Sequence, residues 1–495
     1  MKKSNRAFLL TAIVIFSLFI IVAVTSCTNK KPDSASNTNT ADNITGGNNG
    51  EESAQEKSIF DILPKNNFNG DKFVIYIPPN NDSPVDKGTF AEELTGEVFN
   101  DAVYNRNLKV ENEYNVKIKP VYGVQWDSTF GDLKKDVAAG DLRADVYFTH
   151  SYLGVASIAS SGFLREWTAV PQLDFAKPWW NQSIIKNLSI ANRTFYISGS
   201  MSIQDTTVLT FNKTMLQELG LENPYTLVRE GKWTLDKLNE LAVAATADLN
   251  GDGKYKANDD RFGLEFGISW QTPSFMFACD EITVTLDENG YPAVTMTNQK
   301  KIDMFDKVYT LLRDGNKTNC YFGNFPAIGI DSGRVLFCQY TLFICEPLRA
   351  AEVDYGILPM PKYDENQEKY ISNSWTGIYG LPVIIPDERL AIIGTVMEAM
   401  SALGHKDVIP VYYDILLKEK ISRDDDSRDM LDIILNGMVY DAGFSYQVGA
   451  SQPGHFIARL IESKKKNYMS EIEKSIDKMI ADFDDFYNKI LEVGR

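Results

Sequence analysis

Oxygen-bearing side chains recur at fixed spacing in the segment 248–259. Asp248, Asn250 and Asp252 take the first, third and fifth positions of a twelve-residue loop, and Gly253 at the sixth position permits a sharp turn. In an EF-hand-like loop such oxygens converge on one Ca²⁺, and the seventh residue adds its main-chain carbonyl. The spacing therefore predicts a structural calcium site with these ligands: Asp248, Asn250, Asp252, Lys254 and Asp259.

This loop departs from the loops of calcium sensors. Its twelfth position is Asp259 in place of a bidentate glutamate. Its ninth position is Lys256, which cannot ligate, so a water or Asp260 would have to complete the shell. A strand pattern at 262–268 follows the loop where a sensor has its second helix. We therefore expect a structural site and not a calcium switch, and the alternative is a solvated turn without metal.

The segment from 72 to 148 predicts an open parallel sheet. Strand patterns at 72–77, 116–122 and 145–148 alternate with helical spacing of apolar residues at 98–114 and 130–137. Strands that are separated by helices run parallel. Open parallel sheets hold their ligands in the crevice beyond the carboxyl ends of the strands, so the residues that follow each strand are candidates for ligand contact.

A polar and aromatic cluster follows the third of these strands. Thr149, His150, Ser151 and Tyr152 come directly after the predicted strand, where a simple buried crossover would need neither polar nor aromatic side chains. We predict that this cluster faces a ligand. The alternative is that His150 and Tyr152 cap a surface turn.

The segment 195–212 consists of two extended pieces around a break of small residues, which is typical of a crossing between two lobes. Asp205 lies inside it, and a carboxylate between strands is costly to bury unless something donates hydrogen bonds to it. The donor could be a ligand hydroxyl. Backbone N–H groups or an arginine could equally satisfy it.

Near the C-terminus, apolar residues recur at steps of four and three. The stripe consists of Ile472, Ile476, Met479, Phe483, Phe486 and Ile490. This spacing predicts one helix that packs its apolar face against its own lobe.

The N-terminus has the composition of an export signal followed by a tether. Basic residues precede an apolar run at 8–24, and Cys27 follows two small residues, as in a bacterial lipoprotein processing site. We predict a signal peptide at 1–26 and a flexible tether at 27–58 that begins with the lipidated Cys27. The lipid would anchor the body to the outer face of the bacterial cytoplasmic membrane. The alternative, an uncleaved transmembrane anchor, also places the body outside the cytoplasm.

Composition and charge exclude several classes of protein. The net charge is −17, so nucleic acid is not an expected partner. The residues beyond the tether are numerous enough for two or more domains. Four further cysteines are too scattered for a disulfide scaffold, although one or two bridges stay open; they are Cys279, Cys320, Cys338 and Cys345. The cysteines and histidines lack the spacing of a zinc site.

Several motifs together resemble one family. They are the N-terminal processing site with its tether, Asn100-Asp-Ala-Val-Tyr-Asn-Arg-Asn107, Pro178-Trp-Trp180, the segment from Trp233 to Gly253, and Tyr355-Gly-Ile-Leu-Pro-Met-Pro-Lys362. Over nearly its whole length the chain resembles the family 1 extracellular solute-binding proteins of ATP-binding-cassette (ABC) importers, a group rich in sugar and oligosaccharide binders. The resemblance implies a monomer without enzymatic activity that binds a small carbohydrate and hands it to the permease subunits of an ABC transporter.

The same resemblance implies an α/β, two-lobed fold like that of periplasmic binding proteins, a Venus flytrap joined by hinge strands. It assigns residues 59–205 plus 346–386 to lobe 1 and residues 206–345 plus 387–495 to lobe 2. A calcium loop recurs in that family as well.

The resemblance also implies which residues contact the ligand. They are His150, Ser151 and Tyr152 from the first lobe, Asp205 at the hinge, and the aromatic candidates Trp270, Trp375 and Tyr379. A sugar ring shows polar edges to donors and acceptors and C–H faces to aromatic rings, which is the chemistry these residues offer. Core packing is the alternative for Trp270 and Trp375. It is the interpretation we favour for Trp179 and Trp180.

Two other functions compete with solute binding. A lipid-anchored glycan-active hydrolase would need two carboxylates on either side of the scissile bond, which a sequence with this many acids does not exclude. The sequence has no HExxH, GxSxG, P-loop or dinucleotide-binding motif. A surface sensory or adhesin module would show repeats or exposed aromatic patches, and none is obvious along the chain.

Overall fold

The fold is described from a computed structural model. The residues it describes are 58–79, 84–267, 271–314, 320–323, 328–343, 345, 347–449 and 452–494. The predicted signal peptide, the lipidated Cys27 and nearly all of the tether lie outside these residues. Among the described residues, no helix combines the length and the apolar character that crossing a membrane requires.

Strands form where short runs of apolar and β-branched residues occur, and the first strand buries Phe73, Ile75 and Ile77. In chain order the strands are β1 (Asp71–Ile77), β2 (Val116–Tyr122), β3 (Val146–His150), β4 (Leu164–Arg165), β5 (Tyr196–Ile197), β6 (Gln204–Asn212), β7 (Phe262–Gly267), β8 (Val284–Leu286), β9 (Pro292–Val294), β10 (Cys320–Gly323), β11 (Val335–Thr341), β12 (Tyr355–Leu358), β13 (Ser372–Pro382) and β14 (Met438–Val439).

Helices connect these strands. In chain order they are α1 (Pro84–Lys87), α2 (Val98–Tyr114), α3 (Thr129–Ala139), α4 (Val155–Ala159), α5 (Gln182–Asn187), α6 (Lys213–Glu218), α7 (Pro224–Arg229), α8 (Leu235–Ala245), α9 (Thr272–Ala278), α10 (Gln299–Tyr309), α11 (Leu390–Leu403), α12 (Asp425–Asn436), α13 (Ala442–Tyr446), α14 (Phe456–Glu462), α15 (Tyr468–Glu473) and α16 (Ile476–Glu492). Many begin at a polar cap: Thr234 accepts the Lys237 N–H at the start of α8, as its sequence predicts.

Tighter and wider helical turns complete the chain. The 3₁₀ turns are Ile59–Ile62, Trp167–Ala169, Ile190–Asn192, Ile330–Ser332, Pro347–Ala350, Asp387–Arg389 and Pro453–His455. The π-helical turns are Thr310–Asp314, Gly404–Val408 and Val411–Ile421.

Twelve of the described strands form one sheet with two halves. In the first half β1 pairs in parallel with both β2 and β3, which confirms the predicted β-α-β-α-β start. The second half has the order β10-β7-β11-β6, and β12 also pairs with β6. The antiparallel pair of β6 and β13 joins the halves. The carboxyl end of β3 therefore lies beside the crossing strand β13.

β13 belongs to both halves of the sheet. Its residues up to Thr376 pair with β6, and from Gly377 onward it pairs with β3. A Cβ atom at position 377 would lie 1.8 Å from the Phe148 ring, so this close approach needs a glycine. The pairing with β6 thus gives way to the pairing with β3 around Thr376 and Gly377.

Each sheet half has an apolar core of its own, and a further apolar cluster joins α2 of the first half to β6 and β11 of the second. The first half packs on α2 and α11 through residues such as Val110 and Val396. The second half packs on α8 and α10 through residues such as Leu238 and Phe305. The sequence assigned α11 to the second lobe, whereas its nearly fully buried face packs in the core beneath β1 and β3. The lobe boundaries themselves stay a prediction.

The C-terminal stripe is divided between two helices. Met479, Phe483, Phe486 and Ile490 are buried on α16, as predicted. Ile472 belongs to α15, which ends at Glu473, and α16 begins at Ile476. The prediction of one continuous helix is therefore wrong, although the apolar face was identified correctly.

Candidate ligand-binding site

The carboxyl end of β3 carries the predicted polar and aromatic cluster. His150 is the last residue of the strand and is 7% exposed. The Ser151 N–H donates to the Thr376 carbonyl at 3.0 Å, which ties this turn to β13. The Tyr152 ring centroid lies 5.8 Å from that of His150. These residues therefore lie together at the sheet edge where the three strands β3, β13 and β6 meet.

Asp86 is a further member of this cluster that the sequence did not reveal. It lies on the short helix α1 and is 4% exposed. His150 Nε2 lies 3.1 Å from Asp86 Oδ1, yet the angles do not make a hydrogen bond. Neither oxygen of Asp86 accepts a hydrogen bond from the described part of the chain, which is costly for a buried carboxylate. A four-residue helix has no periodic pattern that could have pointed to this residue.

Arg106 and Asn107 fix the chain just after Asp86. The fully buried Arg106 guanidinium donates to the carbonyls of Gly88 at 2.9 Å and Thr89 at 2.7 Å. It also donates to Asn107 Oδ1 at 2.8 Å. Burial lowers the pKa of Arg106 to about 10. The Arg-Asn pair of the motif 100–107 therefore holds in place the segment that carries Asp86.

Asp205 lies on β6 and is 4% exposed. Its Oδ1 accepts the N–H of Thr206 at 3.0 Å and that of Phe343 at 3.1 Å. Burial raises the pKa of Asp205 to about 6, although the Thr341 side chain and these backbone donors act in the opposite direction. Of the alternatives that the sequence left open, backbone N–H groups are present as donors.

Trp375 lies on β13 directly opposite Asp205 in the strand pair. It is the one residue of β13 that is only half-buried. Its ring meets the Tyr152 ring edge to face, with centroids 6.4 Å apart. This arrangement leaves an indole surface opposite Asp205 and beside Tyr152, whose other neighbour, His150, lies next to Asp86. Such a set can accept hydrogen bonds from hydroxyl groups and cover an apolar face.

Tyr379 is not part of this cluster, which corrects the sequence prediction. It is fully buried, and its hydroxyl shares a 2.8 Å hydrogen bond with Thr89 Oγ1. Its ring packs against Phe148 in the core of the first half. Side chains alternate along a strand, so Tyr379 lies on the same face of β13 as Trp375. It pairs with Phe148, two residues before the end of β3, where neighbouring strands cover it. Trp270 lies outside the described residues.

Trp179 and Trp180 are core residues, as predicted. Both are buried, and their indole N–H groups donate to Glu398 at 3.0 Å and 2.9 Å. Burial raises the pKa of Glu398. One carboxylate on α11 thus holds both rings in the core.

The predicted calcium loop is folded by its own hydrogen bonds. Asp248 accepts the N–H groups of Gly251 and Gly253, each at 2.7 Å. The Lys256 ammonium lies 2.9 Å from Asp252 Oδ2 and 3.6 Å from Asp259 Oδ2. The ammonium of Lys256 therefore pairs with two of the predicted calcium ligands, Asp252 and Asp259. Within the described ranges, no group of three or more acidic, histidine or cysteine side chains is arranged to hold a metal, and calcium binding stays a prediction.

Three of the body cysteines are described with their side chains. Cys279, Cys338 and Cys345 are buried free thiols. Burial raises the pKa of each of them. The charge of Asp205 also contributes to the raised pKa of Cys345.

The chain is similar to known proteins at the level of family and fold. Residues 87–311 match the family of bacterial extracellular solute-binding proteins. No curated protein matches the chain. The family is extracellular by description, which agrees with the predicted export.

Solved structures share the fold. The cyclic α-maltosyl-1,6-maltose binding protein from Arthrobacter globiformis has a TM-score of 0.55 and 12% identity, covering 86% of this chain and 99% of that chain. An ABC transporter solute-binding protein from Thermotoga lettingae, bound with α-D-tagatose, has a TM-score of 0.52 and 15% identity, covering 83% and 100%. An ABC substrate-binding protein from Listeria monocytogenes, in complex with cycloalternan, has a TM-score of 0.51 and 11% identity, covering 82% and 99%.

These comparisons confirm the predicted α/β fold with hinge strands, because the solved proteins match over nearly their full length. The family and the solved structures are binding proteins and not enzymes. Residues 87–311 are thus similar to the bacterial extracellular solute-binding proteins, and the described chain shares the fold of solved ABC solute-binding proteins.

Proposed function

We propose that this protein binds a carbohydrate at the sheet edge where β3, β6 and β13 meet. The observation that carries the proposal is the pairing of Trp375 with Asp205 across the crossing strands, together with the buried carboxylate of Asp86, which accepts no hydrogen bond from the described residues. Sugar hydroxyls donate hydrogen bonds that carboxylates accept, and the C–H face of a sugar ring packs on an indole. The bound sugars of the solved proteins of this fold favour the same class of ligand.

A thermal-shift panel tests this proposal. The mature chain is heated with neutral mono- and oligosaccharides, with amino acids and with dipeptides. We expect at least one saccharide to raise Tm in a concentration-dependent way, because a ligand that binds only the folded state stabilises it by mass action. Stabilisation by amino acids or peptides alone would contradict the carbohydrate assignment.

The same samples separate binding from hydrolysis. After incubation, each saccharide is analysed by chromatography for shorter products. A binding protein returns its ligand intact, whereas a glycan-active hydrolase releases products from the sugar that stabilises it.

We further propose that the protein is a lipoprotein that delivers its ligand to an ABC permease. The family match and the lipoprotein processing pattern at Cys27 support this role. Expression with labelled palmitate tests the anchor: the wild-type chain should incorporate label and stay with the membrane fraction. Cys27→Ser should release it, and label retained by that variant would contradict lipidation at this residue.

The calcium proposal concerns the loop 248–259, away from the ligand cluster in sequence. We propose that Ca²⁺ binds there weakly, because the Lys256 ammonium competes with it for Asp252 and Asp259. A bound cation would stabilise the fold and would take no part in ligand binding.

A further inference from the structure

A second groove lies on the same edge of the sheet, beyond β1. It has a volume of about 400 Å³ and lies between the start of α2 and the end of β2. Aromatic rings and carboxylates form its walls; those used below are Phe90, Glu92, Glu93, Phe99 and Tyr122. Tyr122 is 51% exposed, which is unusual for a large ring at the end of a strand. Aromatic surface beside acceptor oxygens is the same combination that the ligand cluster offers.

The groove continues toward the ligand cluster. A narrow recess of about 20 Å³ is lined by Asp86, Phe90 and Tyr122, and the last two also line the groove. The recess has room for about one water molecule. Asp86 is also the residue that lies 3.1 Å from His150 Nε2. The buried carboxylate without a hydrogen-bond partner therefore stands between the groove and the cluster.

Sheet order places these groups in a row. Across neighbouring strands the order is β6, β13, β3, β1 and β2. Asp205 lies on β6, Trp375 on β13, His150 at the end of β3 and Tyr122 at the end of β2, whereas Asp86 lies on α1, which follows β1. Strands lie about 4.8 Å apart, so the four spacings from β6 to β2 measure about 19 Å. A sugar ring of about 5 Å covers roughly one strand spacing, and one ring cannot contact both ends of the row.

We propose that the ligand is a non-acidic oligosaccharide of about three or more rings, whose outer ring stacks on Tyr122. The proposal rests on the proposed carbohydrate-binding function and adds an outer subsite to it. Glu92 and Glu93 accept hydrogen bonds from the outer ring, and Asp86 accepts one from the ring between the two sites. Among the described residues that line the groove, Lys87 is the single basic one, so an acidic sugar is repelled.

Ladders of α-1,4-glucans, β-1,4-glucans, β-1,4-mannans and β-1,4-xylans, each from one ring to six, test the inference by calorimetry. We expect affinity to rise with length in one ladder until about three or four rings and then level off. Tyr122→Ala should lower the affinity for the longest oligosaccharide about tenfold. The affinity for the shortest oligosaccharide that binds should stay unchanged. Tyr122→Phe keeps the ring and should bind as the wild type does. Tyr255→Ala removes an exposed tyrosine from the loop 248–259 and should change nothing.

Distinct results would overturn the inference. Equal affinity for one ring and for six would refute the outer subsite while leaving carbohydrate binding intact. An equal loss for all lengths in Tyr122→Ala, with a lowered Tm, would show that Tyr122 only supports the fold. Tighter binding of uronic-acid oligomers than of neutral ones would refute the charge assignment. Absence of binding in every ladder would refute both the inference and the proposed function.

Discussion

At the scale of single residues, the candidate site depends on buried carboxylates that are held in different ways. Asp205 is satisfied by backbone donors and the Thr341 side chain, and burial still raises its pKa to about 6. Asp86 accepts no hydrogen bond from the described residues. The hydrogen bonds of Asp205 are thus supplied by the chain itself. A ligand hydroxyl would stabilise Asp86 more, because that buried carboxylate has no hydrogen-bond donor among the described residues.

The raised pKa of Asp205 makes stability depend on pH. Its pKa is about 6 in the folded chain and 3.8 in the reference state, so the folded chain holds this proton more tightly. Stability from the group is therefore full at low pH and is lost as pH rises through about 6. The free energy of unfolding of Asp205→Asn should equal that of the wild type near pH 4 and exceed it by about 3 kcal/mol near pH 8. Urea unfolding at both pH values measures the difference.

Other titrating groups cancel in this comparison, because they are common to both chains. A constant difference in the free energy of unfolding between pH 4 and pH 8 would show that Asp205 does not titrate in this range.

Trp375 offers the indole face for the proposed ligand. Trp375→Ala should weaken binding of the stabilising saccharide by about tenfold or more, since aromatic anchors carry much of the energy of such sites. Because Trp375 is only half-buried, the loss of folding stability should stay at about 1–2 kcal/mol. Calorimetry and thermal unfolding measure the two effects, with Tyr255→Ala as the aromatic control. Unchanged affinity would remove Trp375 from the site.

At the scale of elements, the sequence predicted those parts whose pattern is local. The alternation of strands and helices from 72 to 148 and the cap at Thr234 follow from hydrophobic spacing and cap chemistry. Asp86 was missed because a helix of one turn leaves no periodicity. Tyr379 was wrongly predicted to lie with the ligand contacts, because sequence spacing does not show which part of a long strand its neighbouring strands cover. The helix is interrupted at 474–475, where the sequence has neither proline nor glycine, so the apolar spacing alone predicted one helix.

The calcium loop gives a prediction at this scale. Lys256→Ser removes the ammonium that pairs with Asp252 and Asp259, so added Ca²⁺ should raise its Tm clearly more than that of the wild type. Without calcium the variant should be less stable than the wild type by up to about 1 kcal/mol, because exposed ion pairs contribute little. Thermal unfolding with calcium and with chelator measures both effects.

Lys254→Ser is the matched control, because it removes an equal charge and keeps the main-chain carbonyl that position seven would offer. Equal calcium response in both variants would show that Lys256 does not compete for the site.

At the scale of the whole molecule, the two sheet halves are joined by β6 and β13, and the proposed ligand contacts both strands. A ligand that bridges the halves favours a closed arrangement by its differential affinity. We expect saturating saccharide to reduce the radius of gyration in small-angle scattering. Asp205→Asn with Trp375→Ala should show no such change at the same saccharide concentration. Proven binding without any change would contradict closure.

The change of neighbour along β13 has a mechanical consequence. The strand pairs with β6 at 374–376 and with β3 from Gly377, and the Ser151 N–H also donates to the Thr376 carbonyl, so a rotation of one half against the other would be taken up around these residues. Gly377 is required by the close approach of the Phe148 ring. As a glycine it also has the least restricted dihedral angles of these residues. Position 377 thus combines close packing with a flexible backbone. A larger side chain there would restrict the backbone and also push β13 away from β3.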